Sequence, residues 1–86
     1  MQKYKRVHLD HFGYGEQDFI PCEACQNEAV DVHHINGRGE GKDIISNLMA
    51  LCRKHHKMAH DEEVSKSELQ LIHNYFMQGT RKTFLK

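Results

Sequence analysis

Hydrophobic and polar positions change period along the chain, and the changes mark out its elements. Residues 29–35, Ala-Val-Asp-Val-His-His-Ile, alternate, with Val30, Val32 and His34 on one side and Asp31, His33 and Ile35 on the other. That is the pattern of a short strand. Residues 36–43 carry three glycines in five positions (Gly37, Gly39 and Gly41) and predict a loop. Residues 44–51 return as a turn and a second short strand. Beyond Cys52-Arg53-Lys54-His55 the pattern is helical to about Glu63, and His56 and His60, four apart, share a face. Ser65 with Glu68 fits a capping box opening a last helix over 65–79. Its apolar stripe reads Leu69, Ile72, Tyr75 and Phe76, and Gly79 is its stop. This phase leaves His73 off the stripe with no special role.

Upstream the pattern is weaker. Tyr4 to Leu9 reads as a short strand or an arm, and Phe12-Gly13-Tyr14-Gly15 as a turn or loop. His8 and His11 have no ligand partners at a recognisable spacing and read as surface or packing histidines. Residues 80–86 read as a basic tail. The expected organisation is one domain over 1–86: an arm (1–21), a core (22–61) and a packing helix (65–79).

Composition adds a constraint. With 86 residues, 38% of them hydrophobic and no Trp, the core is small, so a staple is expected. Three cysteines cannot all pair, which argues against a secreted disulfide framework. No apolar run is long enough for a signal peptide or a membrane helix, so a cytoplasmic protein without membrane association is expected. There Cys22-Glu-Ala-Cys25 is a metal knuckle or a redox pair, and the strand-then-helix setting of a redox pair is missing. Twelve basic and twelve acidic residues cancel, which argues against binding nucleic acid by bulk charge alone. The basic residues nevertheless cluster, with Lys3, Lys5 and Arg6 at one end and Arg81, Lys82 and Lys86 at the other. Arg38, Lys42, Arg53, Lys54 and Lys57 lie between.

Five of the eight histidines (His33, His34, His55, His56 and His60) fall within residues 31–60, as does Cys52. Structural zinc takes four Cys or His ligands in a closed tetrahedron. Cys22 and Cys25 with Cys52 and His55 repeat a two-residue gap and use every thiol. The rival set, Cys22, Cys25, His56 and His60, separates its pairs by thirty residues, against roughly a dozen in a compact finger, and leaves Cys52 idle. The first set frees His33, His34, His56, His60 and Asn47 for an open site. Neighbouring strand residues face opposite ways, so His33 and His34 suit different tasks, one holding a metal and one activating water. An extended zinc site or plain surface histidines account for them equally well on composition alone.

Cys-x-x-Cys, Asp-Val-His-His-Ile, a glycine-rich loop, Asn-Leu-x-x-Leu-Cys and His-His in this order resemble the HNH endonucleases of the zinc-knuckle type of bacteria and phages. The resemblance spans Cys22 to His60, about half the chain. It implies a small α+β chain with a ββα-metal core, a structural zinc knuckle and a C-terminal packing helix. It further implies metal-dependent hydrolysis of DNA, double-stranded by expectation, in a bacterial cell or a phage-infected host. His34 falls on the general-base position, and Asn47 on the central Asn that braces the loop. His33 and His56 fall on ligand positions for a catalytic Mg²⁺, Mn²⁺, Ni²⁺ or Zn²⁺, and His60 matches a ligand that only some members have. His55 stands where a fourth Cys is usual, an exchange zinc tolerates. Arg38, Arg53 and Lys57 are candidate phosphate contacts. Protonation of His33, His34 and His56 implies loss of activity below roughly pH 6. So short a chain has little surface for reading a long site, so low specificity or a targeting partner is expected. The competing reading is a non-catalytic zinc module that binds nucleic acid or protein.

Overall fold

The computed structural model describes residues 2–86. Its elements follow the order α1 (Lys3–Phe12), β1 (Asp31–His34), a 3₁₀ turn (Ile45–Asn47), β2 (Leu48–Leu51), α2 (Arg53–His60) and α3 (Lys66–Met77). The strands pair antiparallel in the register Asp31↔Leu51 to His34↔Leu48. The result is a small α+β fold with one two-stranded sheet and three helices among the described residues. No helix is long and apolar enough to cross a membrane.

The two faces of the sheet are covered differently. Val32 and Leu48 meet Tyr4 of α1 in one apolar cluster, with Val7 beside it. Met49 and Leu51, on the other face, join Cys22, Ala24, Ile35, Val64, Leu69 and Ile72 in the larger core. Sandwiching explains why all four residues of β2 are buried, whereas β1 alternates. His34 thus lies toward α1, and His33 toward α2.

Three parts of the sequence reading are corrected. The expected strand or arm over Tyr4 to Leu9 is the helix α1. Its buried residues Tyr4 and His8 are four apart, and Phe12 extends that ridge. Gly13, at φ 73, closes it in a Schellman arrangement, its N–H bonding to Asp10 O and that of Tyr14 to Leu9 O. In α3 the stripe is Leu69, Ile72, His73 and Phe76, while Tyr75 is 43% exposed. The helix is rotated so that His73 takes a core position. Residues 80–86 are no free tail. Phe84 and Leu85 donate backbone N–H groups to Ala24 O at 2.7 and 3.0 Å and pack on the larger core.

The expected cap, strands and helix after Cys52 are present. The Ser65 side chain accepts from the Glu68 N–H at 3.1 Å and caps α3. Both strands form, as shorter segments than the alternation suggested. The helix after Cys52 ends at His60 rather than Glu63.

Candidate functional site

Cys22 and Cys25 sit on a turn that the backbone closes tightly. Cys22 N–H donates to Asn27 O at 2.6 Å, and Gln26, at φ 71, donates to Cys22 O at 2.9 Å. Cys52 ends β2 and flanks α2, whose first turn carries His55 inward. Cys22 Sγ lies 3.7 Å from His55 Nδ1, Cys25 Sγ 3.8 Å from Cys52 Sγ, and Cys52 Sγ 3.3 Å from His55 Nδ1. Zinc bonds of about 2.3 Å to sulfur and 2.0 Å to nitrogen give tetrahedron edges of roughly 3.5–3.8 Å. Two of the three spacings fall in that range and the third, at 3.3 Å, lies just below its lower end. All three cysteines are free thiols, and the four donor atoms lie within 4.8 Å of one another. His55 Nε2 faces Lys86 O at 3.3 Å. That oxygen only accepts, so the contact calls for the proton on Nε2 and leaves the Nδ1 lone pair to the sulfurs. Burial pushes the Cys22 thiol up to about 12, a penalty that a bound dication reverses. This is a Cys3His group that could hold a structural metal such as zinc. The rival ligand set is not the one assembled.

The knuckle is locked to the rest of the fold by a residue that the sequence reading passed over. Glu23, between the two thiols, is 0% exposed. Its backbone N–H donates to Ala50 O at 2.9 Å, and its Oε2 accepts from Ala50 N–H at 3.0 Å. Its Oε1 lies 2.6 Å from Nδ1 of His73, also fully buried, whose Nε2 lies 2.7 Å from Ile45 O. Burial raises the Glu23 carboxyl, but the hydrogen bond from His73, with the pull of nearby His8 and the Ala50 N–H, outweighs it and holds it below its ordinary value. Burial lowers His73, but its bond to Glu23 outweighs this and raises it. Buried His8 completes the group, its Nε2 3.7 Å from Glu23 Oε2, beyond direct hydrogen bonding. His73 is therefore a buried structural pair to Glu23, contrary to expectation. His11 is exposed, as expected.

On the far side of β1 the histidines surround open space. The rings of His33 and His56 meet edge to face at 5.3 Å, bringing β1 and α2 together. His33, His34 and His60 line one cleft of about 210 Å³ together with Gly37, Ser65 and Leu69. His56 and His60 line another of about 650 Å³ with Arg53 and Lys57. His33, His56 and His60 are not drawn together as the Cys3His donors are. Burial, then the neighbouring His56, His34 and His60, depress His33 to about 4. It keeps its lone pair near pH 6, where the sequence reading expected it to protonate.

Asn47 is buried and works on the glycine-rich loop from both ends. Its Oδ1 accepts from Asn36 N–H at 2.7 Å, and its Nδ2 donates to Gly37 O at 3.2 Å and to Lys42 O at 2.9 Å. His34 is held by two residues the sequence reading did not single out. Asp43 Oδ1 lies 2.8 Å from its Nε2, and the Tyr4 ring packs 4.6 Å from its ring. Arg38 lies over the ring of that tyrosine, 4.8 Å from its centroid. Position four before Asn47, at the end of a glycine loop, was the available signal for Asp43. Tyr4 carries no such signal, because only the helical setting of α1 brings it to His34.

In sequence the chain is similar to the uncharacterized protein YdfU of Escherichia coli (strain K12), 35% identical over 66 residues. The match covers 64% of this chain, which spans only 18% of that relative's length. No protein-family model matches the chain. No solved structure matches it either.

Proposed function

We propose that this chain is a metal-dependent endonuclease that hydrolyses DNA phosphodiester bonds, built on a ββα-metal core of the HNH type. In this reading Cys22, Cys25, Cys52 and His55 bind a structural zinc ion. The observation that carries the reading is the meeting of His33 on β1 with His56 on α2, at 5.3 Å, beside a loop pinned by Asn47. Strand β1, the start of the loop and the following helix α2 thus bring histidines to two neighbouring clefts that share His60, in a chain that also holds a closed thiol-rich group.

The donors suit a catalytic divalent ion. His33, His56 and His60 offer imidazoles without thiols on open clefts, and His33 is held neutral at physiological pH. An ion such as Mg²⁺, Mn²⁺, Ni²⁺ or Zn²⁺ held there supplies positive charge toward the crowded phosphorus and the departing 3′-oxygen. His34 takes a proton from the attacking water. Asn47 fixes the loop, and Arg38, Arg53 and Lys57 face phosphates along the duplex. The surface of this domain reads few base pairs, so cleavage is of low sequence specificity or a partner supplies the targeting.

The test is nicking of supercoiled plasmid with a panel of divalent metals. Wild type nicks, and His34→Ala loses roughly 10²–10⁴-fold in rate while keeping its zinc and its thermal transition. Equal nicking by the variant sinks the mechanism. No nicking with any metal, alongside retained DNA binding, favours the non-catalytic zinc module.

A further inference from the structure

We propose that Asp43 is the positioning residue of His34, fixing it as the Nε2–H tautomer and leaving Nδ1 as the nitrogen that deprotonates water. This rests on the nuclease reading above. Asp43 Oδ1 sits 2.8 Å from His34 Nε2. A carboxylate oxygen accepts, so the imidazole proton lies on Nε2 and the lone pair on Nδ1. His34 Nδ1 is buried and has no hydrogen-bond partner in the protein. Buried polar atoms are nearly always satisfied, so an orphaned nitrogen on a residue that borders the cleft marks a place for a ligand atom. The His34 side chain is only 4% exposed, and the Tyr4 ring at 4.6 Å fixes its plane from the α1 side.

The placement of Asp43 is itself built. Asn47 Nδ2 holds the carbonyl of Lys42, the residue before Asp43, at 2.9 Å, while its Oδ1 holds the start of the loop at Asn36. Asn47 therefore acts on His34 through Lys42 and Asp43. Among the described residues Asp43 makes no other side-chain hydrogen bond than the one to His34. In the reaction water gives a proton to Nδ1, and its oxygen forms the new bond to phosphorus. The 3′-oxygen leaves with the P–O electron pair and takes a proton from solvent.

The experiment reads tautomers and rates separately. In the zinc-loaded full chain labelled with ¹⁵N-histidine, long-range proton–nitrogen spectra at alkaline pH show His34 protonated on Nε2 only. Asp43→Ala relaxes this to a mixture and lowers kcat roughly ten- to a hundred-fold with KM little changed. Asp43→Asn, whose carbonyl still accepts, recovers part of both. A wild-type His34 protonated on Nδ1, or an Asp43→Ala chain with unchanged tautomer and kcat, overturns the proposal. A locked Nε2–H tautomer in a chain that cleaves no DNA overturns the nuclease reading instead, and with it the role of Nδ1 as a base.

Discussion

Two histidine-bearing regions of this chain share a sheet and an adjoining helix, yet they are built on opposite plans. At the Cys3His group four donors from the knuckle and the start of α2 converge within 4.8 Å, and three of the four are buried. At the two neighbouring clefts His33, His56 and His60 face open space, and the tight bonding belongs to the loop rather than the donors. A closed tetrahedron leaves nothing for a substrate, whereas an open set of imidazoles does. Adjacent side chains go to the two different plans. His55 turns toward the thiols, and His56, one step around α2, meets His33.

The comparison predicts unequal losses on metal removal. Structural zinc contributes about 10–16 kcal/mol of apparent binding energy in small zinc-dependent domains, much of it folding energy. Cys52 also belongs to the larger core, so the knuckle and the hydrophobic cluster fail together. Stripping zinc with a strong chelator, or Cys52→Ala, is expected to abolish the cooperative thermal transition and near-native circular dichroism. His56→Ala is expected to leave both intact. A Cys52→Ala chain as stable as wild type, or one mole of zinc retained after that substitution, breaks the distinction.

The parts legible in the sequence were those with short-range codes. Cys22, Cys25, Cys52 and His55 repeat one gap, and zinc chemistry fixes what such a gap means. The β1–loop–β2–α2 order follows from period and glycine, and Ser65 with Glu68 is a local cap that forms as read. What stayed hidden depends on partners far along the chain. Glu23 looks like a solvated charge inside Cys-x-x-Cys, and its histidine lies 50 residues away. His73 could be placed only by the rotation of α3, which turns Tyr75, about 200° around the helix from it, out of the core. Helix α1 carries its buried ridge on Tyr4 and His8, which a hydrophobicity scale discounts. The Schellman glycine Gly13 was the usable signal.

Glu23 and His73 sharpen the comparison, because they tie the knuckle to the helix that borders the cleft. Removing one member of a buried ion pair costs about 3–5 kcal/mol, since the other is left buried and unpaired. His73→Leu is expected to lose stability on that scale by denaturant melts while still binding zinc. The pH dependence has a definite sign. His73, raised above 6.5, contributes fully below that value and loses its contribution as pH rises through its folded value. Glu23, lowered below 4.5, contributes fully above that value and loses its contribution as pH falls through its folded value. The pair is therefore strongest between 4.5 and 6.5. Comparison with a Glu23→Gln, His73→Leu chain subtracts the titration of the shared zinc ligands. The stability gap should narrow on the alkaline side, and a gap that stays constant there excludes the ion pair.

The smallest effect probes the rim of the cleft alone. Ser65 caps α3 by accepting the Glu68 N–H at 3.1 Å, and the same residue lines the cleft with His33, His34 and His60. Loss of a serine cap costs about 1 kcal/mol, concentrated in the first helical turn. That turn also carries Lys66, another cleft residue, whereas His73 and Phe76 lie further along the helix. Ser65→Ala should therefore speed amide exchange at residues 66–69, with unchanged zinc content and unchanged exchange around Cys22 and Cys52. If exchange rises equally at the knuckle, the two regions are one cooperative unit and their separation into a closed group and an open cleft fails. If it rises only at the start of α3, the cleft can loosen while the zinc group holds, as an open site beside a closed one requires.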